Sequence, residues 1–221
     1  MPRIMERPVS IFKTFLDLVL PPVCYVCGKS CSSKYGLCEE CLDKVKRERR
    51  LNTAERIDGN WSCCYYKNTV KDCIHLFKYK GYAGLVDIFR DIMVDFIEKN
   101  EIQKQMDLIV PVPMYPAKRR ERTYNHAEIL ASSVSKALAI PMDAKNLRKM
   151  KWTTSQSELD RIKRLKNVRG SFLAVDKKAF SGKRVLLIDD VYTTGATINE
   201  CARVLLAAKA DRVSSLTLAR G

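Results

Sequence analysis

With two histidines in 221 residues, the chain gives no basis for an imidazole-centred catalytic relay. The two commonest nucleotide-phosphate signatures are also missing. No G-x-x-x-x-G-K-[ST] occurs, which excludes a Walker loop, and no G-x-G-x-x-G occurs, which removes the dinucleotide fingerprint. There is no internal repeat and no low-complexity tract. Long apolar runs are lacking too: Val9 to Leu20 is interrupted by Lys13 and Asp17 and stopped by Pro21-Pro22. That stretch is too short and too charged to span a bilayer and has no small-residue cleavage site, so neither stable membrane insertion nor export is expected. Its apolar residues share one helical face, which predicts a helix packed on the body of the protein. Acidic residues are scarce relative to basic ones, 25 against 40, leaving a net charge of +15. Such a surplus implies a polyanionic partner, and a pyrophosphate-bearing substrate and nucleic acid both fit.

What is present is enough for one α/β domain and a small module, with 46% hydrophobic residues to build a core. The most informative run is Val185-Leu-Leu-Ile-Asp-Asp-Val-Tyr-Thr-Thr-Gly-Ala-Thr197. An apolar strand ends in Asp189 and Asp190, a loop of hydroxyls and one glycine follows, and Ile198 to Ala208 has helical periodicity. A buried parallel strand feeding a helix N-terminus is where α/β proteins bind phosphate. Backbone N–H groups of Thr193, Thr194, Gly195, Ala196 and Thr197 can cradle the phosphate, with three threonine hydroxyls adding donors. Two carboxylates just before the loop suit a vicinal diol, so the run reads as a ribose 5-phosphate site. The plainer reading, a strand whose Thr193 or Thr194 caps the next helix, accounts for only part of it.

Nine cysteines mark the other organised region. Cys24-x2-Cys27 and Cys38-x2-Cys41 form two knuckles able to converge four thiolates on one ion, with zinc the default occupant. Gly28 and Gly36 sit where knuckles need relaxed backbone angles. Cys31, between the pairs, is a spare thiol or an alternative ligand; an iron–sulfur cluster or two disulfides are the competing readings. A closed four-cysteine site is structural, standing in for the core that about thirty residues cannot supply. Cys63, Cys64, Cys73 and Cys201 fall in apolar patterns and are expected in the core. Many cysteines without an export signal indicate a reducing cytoplasm.

Between these regions, Lys44 to Asn60 is a charged connector whose first part can be helical. Trp61 to Tyr66 reads as a strand, Val70 to Phe77 and Leu85 to Ile97 as helices, and Asp107 to Pro113 as a second buried strand. The basic loop Lys118, Arg119, Arg120 and Arg122 follows, then a helix from Asn125 to Leu138. At the end of a parallel strand, these cations share an edge with the Asp189-Asp190 loop and can neutralise a pyrophosphate. Arg148 to Asn167 reads as a mobile surface segment leading into a strand at Ser171 to Val175.

The Asp189–Thr197 run resembles the phosphoribosyl pyrophosphate (PRPP) motif of type I phosphoribosyltransferases. The resemblance makes Asp189 and Asp190 the ligands of the ribose hydroxyls, Thr193, Thr194, Gly195, Ala196 and Thr197 the 5-phosphate loop, and Val191 and Tyr192 part of the same PRPP-binding run. More widely, from about Phe15 to Arg220, the chain is similar to the ComF (competence protein F) family, which joins a four-cysteine zinc module to a phosphoribosyltransferase-like domain. Further shared features are Pro21-Pro22, Lys78-Tyr79-Lys80-Gly81, Pro111-Val112-Pro113 and the spacing of Gln156, Leu159, Arg164, Asn167 and Phe172. Where the family usually reads Arg-Gly-Phe-Asn-Gln, this chain has Arg122-Thr-Tyr-Asn-His126, which loses a glycine and gains a titratable ring.

The resemblance implies an α/β fold: a parallel sheet flanked by helices in residues 51–221, behind an N-terminal helix and zinc module in residues 1–50. It also implies PRPP, Mg²⁺ and a link to DNA uptake, in some members with a helicase and single-stranded DNA. In a phosphoribosyltransferase, Lys118, Arg119, Arg120, Arg122 and Lys78 would stabilise charge on departing pyrophosphate. The competing expectation is a non-catalytic protein that grips single-stranded DNA through the basic residues Lys145 to Arg169 and Trp152.

Overall fold

The structure is a computed structural model describing residues 22–47, 59–80, 84–122, 124–151 and 168–221. In chain order its elements are α1 (Glu39–Arg47), β1 (Asn60–Tyr65), α2 (Asn68–Lys80), α3 (Gly84–Lys99), β2 (Leu108–Pro111), α4 (Pro116–Arg122) and α5 (His126–Leu138). There follow β3 (Leu147–Lys149), β4 (Phe172–Ala174), β5 (Arg184–Tyr192), α6 (Ala196–Ala207) and β6 (Arg212–Arg220), with short 3-10 turns at Ile102–Gln105 and Lys177–Ala179. Strands β1-β6-β5-β2 make one sheet in that order, every pair parallel. Strands β3 and β4 form a separate antiparallel ribbon.

Both faces of the parallel sheet are covered, which is why β2 and β5 are nearly continuous apolar runs rather than alternating ones. Successive residues of β5 still go to opposite sides. Leu186 and Ile188 pack with Phe77, Phe89 and Leu130 from α2, α3 and α5. Val185 and Leu187 pack with Cys201 and Leu205 of α6 and with Leu147 and Phe172 of the ribbon. Cys63, Cys64, Cys73 and Cys201 all lie in these cores, as their patterns predict.

The cysteine-rich segment joins the first of these cores. Leu37, Cys41 and Val45 are buried in one cluster with Phe77 and Phe89. The Tyr35 hydroxyl donates to Asp91 on α3 at 2.8 Å, and the backbone of Tyr35 closes on Gly84. The small module and the sheet therefore share apolar surface.

Several boundaries differ from the sequence reading. Helix α1 begins at Glu39, inside the second cysteine knuckle, because Cys41 and Val45 form its buried face and Glu39 and Glu40 suit a first turn. The predicted basic loop after β2 is the short helix α4, opened by Pro116 at a position where a missing N–H costs nothing. Leu147–Lys149 is a strand, stabilised by tertiary pairing with β4 that the polar sequence around it does not advertise. The expected helix in Val9 to Leu20, Thr123, Trp152 and residues 156 to 167 lie outside the described residues. Among the described residues no helix is long and apolar enough to cross a membrane.

Candidate functional site

The predicted phosphate run lies at the C-terminal end of β5, between β6 and β2 in the middle of the sheet. The strand does not stop at the carboxylates. It stays paired with β6 through Val191–Ala219 and Tyr192–Arg220, so Asp189 and Asp190 sit within the strand and diverge to opposite faces.

Asp190 faces the α2 side, where its Oδ2 lies 2.9 Å from Lys78 Nζ, both side chains being mostly buried. Burial alone would lower the Lys78 pKa. The charge and hydrogen bond of Asp190 outweigh it and hold the ammonium above the ordinary lysine value. Asp189 accepts a 2.9 Å bond from the Asp190 backbone N–H on its Oδ1. Burial, reinforced by the Asp190 charge, pushes its carboxyl up to about 7. On the Asp189 side stand Cys201, whose thiol is pushed well up by burial and by Asp189, and Lys149, whose pKa burial lowers.

The loop then turns through Thr193 and Thr194 to Gly195, the residue preceding α6, with φ +75°. A Cβ there would overlap the Tyr192 hydroxyl, and the Tyr192 ring is covered by the Arg220 guanidinium at 4.8 Å. Glycine is thus required twice, by backbone angle and by space. Helix α6 starts at Ala196 rather than Ile198, and Gly195, not Thr193 or Thr194, occupies the cap. The Thr194 Oγ1 lies 3.4 Å from the Ala196 N–H. First-turn amides of α6 therefore lie just beyond two carboxylates, an arrangement that takes an anion and a hydroxylated or cationic group side by side. The oxygen donors of Asp189 and Asp190 fit a hard cation such as Mg²⁺.

One strand away, a cavity of about 1030 Å³ opens between the end of β2, α4 and β3. Arg119 and Arg120 line it, with Lys145, Arg148 and Lys149 opposite. Arg119 is partly neutralised by Glu128 at 3.2 Å. Lys118 is half-buried on the same short helix but not among the lining residues, and the side chain of Arg122 is outside the described residues. Lys78, grouped with these cations from sequence, is instead committed to Asp190. Lys149, which the sequence offered only as part of a broad basic stretch, is placed by the β3–β4 ribbon against Phe172 and within electrostatic reach of Asp189.

The second site is in the N-terminal module. The sulfur atoms of Cys24, Cys27, Cys38 and Cys41 lie within 4.8 Å of one another, with Cys27 Sγ and Cys38 Sγ 3.6 Å apart. Tetrahedral zinc with bonds near 2.3 Å places its sulfurs about 3.8 Å apart, so this donor set fits the ion. The knuckles are shaped by backbone bonds from Gly28 to Cys24 and from Leu42 to Cys38, both 2.9 Å. Gly36, at φ +66°, leaves room for the Tyr25 ring, which a Cβ would overlap. Cys31 stays outside the cluster, and all nine cysteines are free, which removes the disulfide alternative.

Comparison with known proteins follows the same division. Residues 125–221 match the phosphoribosyl transferase domain and residues 15–51 the double zinc ribbon domain. Competence protein ComFC of Bacillus subtilis is 30% identical over 216 residues, covering 97% of this chain and 85% of that one. Competence protein F of Haemophilus influenzae is 36% identical over 203 residues, covering 90% and 85%. DNA utilization protein YhgH of Escherichia coli is 24% identical over 201 residues, covering 90% and 84%. With a phosphoribosyltransferase-type parallel sheet behind a four-cysteine zinc ribbon, and with these relatives aligned over nearly its whole length, the chain belongs to the competence protein F (ComF) family.

Proposed function

We propose that the chain binds PRPP with Mg²⁺ at the C-terminal end of β5 and transfers its phosphoribosyl group. One observation carries this reading: two adjacent carboxylates end the central strand, and the glycine-turned N-terminus of α6 follows them directly. Asp189 and Asp190 hold the ribose hydroxyls, and the amides and hydroxyls of Thr193 to Thr197 receive the 5-phosphate. The pyrophosphate arm extends toward the cavity, where Arg119 and Arg120 stabilise charge on the leaving group, with Lys118 and Arg122 on the same helix. When bound beside Asp189 and Asp190, Mg²⁺ would supply charge neutralisation for the pyrophosphate. In the transfer, the C1′–oxygen bond to pyrophosphate breaks with its electron pair leaving on pyrophosphate. A nucleophile's lone pair then forms the new bond to C1′, and the nucleophile loses its proton. The protein supplies no covalent nucleophile.

The zinc module, assigned to residues 1–50, is structural and braces the catalytic unit of residues 51–221. Nine cysteines outside any disulfide are compatible with a cytoplasmic setting. The relatives named for competence and DNA utilization support placing the activity in DNA uptake.

Calorimetry of Mg²⁺–PRPP binding to the zinc-loaded protein tests the proposal, with the Asp189→Asn/Asp190→Asn variant alongside. Saturable binding lost in a folded variant is the expected result; equal affinity in both overturns the assignment.

A second reading has its own observation, the cationic lining of the cavity by Lys145, Arg148 and Lys149 opposite α4. In it the surface grips single-stranded DNA, with a helicase as partner, and the ribose-phosphate site serves as a sensor. DNA affinity that falls steeply with salt supports it, because several phosphate contacts release counterions; salt-insensitive affinity counts against it.

A further inference from the structure

The tripeptide Tyr124-Asn125-His126 touches both halves of the site, and Asn125 lines the cavity. Its ring residues reach the end of α2. The Tyr124 hydroxyl donates to the carbonyl of Phe77 at 3.2 Å, and His126 Nε2 lies 3.1 Å from the carbonyl of Lys78. Both carbonyls belong to the last turn of α2, Asn68–Lys80. A carbonyl only accepts, so His126 carries its proton on Nε2. The His126 ring is buried, packed edge-on against Phe77 at 5.0 Å and Tyr124 at 4.9 Å. Between them, Asn125 donates from Nδ2 to the carbonyl of Val112 at 3.0 Å, pinning the segment that leaves β2.

Lys78 is thus held at both ends. Its backbone carbonyl is capped by His126, and its ammonium reaches Asp190. The last turn of a helix frays unless its carbonyls are satisfied, and fraying here would carry Lys78 away from β5. From this we infer that Tyr124 and His126 are positioning residues: by capping the C-terminus of α2 they fix Lys78 against Asp190 and so set the carboxylate that receives the ribose. Asn125 ties the same tripeptide to the loop after β2, so the diol side and the pyrophosphate side are registered by three consecutive residues. The role in ligand binding rests on the PRPP reading, while the capping and its effect on Lys78 do not.

The test compares His126→Gln, which keeps a donor of similar reach, with His126→Leu, which keeps only bulk, and adds Tyr124→Phe. Three readouts are taken on the zinc-loaded full chain. Nitrogen NMR of the Lys78 ammonium is expected to show its protons held against solvent exchange by Asp190 in the parent and in His126→Gln. In His126→Leu that protection is lost, because the ammonium loses Asp190. Calorimetry is expected to show Mg²⁺–PRPP affinity roughly three- to tenfold weaker in His126→Leu, the scale of one lost hydrogen bond, and near-parent in His126→Gln. Nitrogen NMR of His126 is expected to show the Nε2-protonated tautomer.

Unchanged protection of the Lys78 ammonium in His126→Leu overturns the inference, as does a His126→Gln protein that loses as much as the leucine variant. If His126→Leu does not fold, Tyr124→Phe and His126→Gln decide it: the first is expected to weaken the protection and the second to preserve it. Absence of PRPP binding in the parent would sink the functional reading alone, since the Lys78 ammonium still reports the cap.

Discussion

Asp189 and Asp190 are consecutive in β5 yet belong to different faces of the sheet. Asp190 is ion-paired with Lys78 at 2.9 Å, whereas Asp189 looks toward Lys149 and Cys201. Adjacent residues of a strand are forced apart in this way, so the two carboxylates have different electrostatic surroundings although nothing separates them in sequence. One has a close cation; the other sits beside a like charge. This asymmetry underlies most of the expected behaviour below.

Replacing Lys78 with methionine should remove the partner of a largely buried carboxylate and cost about 2 kcal/mol, less than for a fully buried pair because both groups retain some solvent contact. The Lys78→Met/Asp190→Asn double variant should recover part of that loss. Urea unfolding of the parent, Lys78→Met, Asp190→Asn and the double variant measures the coupling, and additive losses would show that the pair contributes nothing.

Asp189 should make stability fall with rising pH. Its folded-state pKa, raised to about 7 by burial and by the Asp190 charge, exceeds the ordinary aspartate value of 3.8. The folded protein therefore binds more protons than the unfolded chain between those limits, and the Asp189 contribution worsens with pH through that window before levelling off. Asp189→Asn should flatten the profile and be more stable than the parent above neutrality, as read by denaturant unfolding at several pH values.

The same protonation takes from Asp189 the charge with which it accepts the ribose hydroxyls. Mg²⁺–PRPP affinity should rise as pH increases through about 7, with proton release on binding below it. Calorimetry in buffers of different ionisation enthalpy counts the protons. A pH-independent affinity would place the ligand away from Asp189.

Gly195→Ala should destabilise the protein by about 1–2 kcal/mol, since alanine at φ +75° is strained and its Cβ meets the Tyr192 hydroxyl. Adding Tyr192→Ala should relieve the steric part but not the backbone part. Thermal unfolding of both variants separates the two.

Removing zinc should weaken the whole chain and not only its first segment, because Leu37, Cys41 and Val45 are in one core with Phe77 and Phe89. Chelation or Cys24→Ser should cost more than about 3 kcal/mol and preserve a single unfolding transition. Metal analysis should return one zinc per chain in the parent. An early, separate transition for the module would contradict the shared core.

Much of this protein is legible along the chain because its chemistry is local. The Cys-x2-Cys knuckles place two ligands each by backbone geometry alone, and the Asp-Asp-loop-glycine run carries its own turn and helix start. Periodicity found α2, α3, α5 and α6 to within a few residues, since one apolar face per helix writes itself into the spacing. Nothing local marked β3, whose three residues are held by pairing with β4, or α4, which reads as a mere basic run. The sequence placed Lys78 among the cations for pyrophosphate; only the packing of α2 on the sheet shows it bound to Asp190. The capping of α2 by Tyr124 and His126 joins residues 47 and 48 positions apart, beyond any spacing rule. Short-range geometry is set by backbone stereochemistry, which sequence encodes directly. Which distant charge meets which carboxylate depends on how buried faces pack, and only the folded chain decides that.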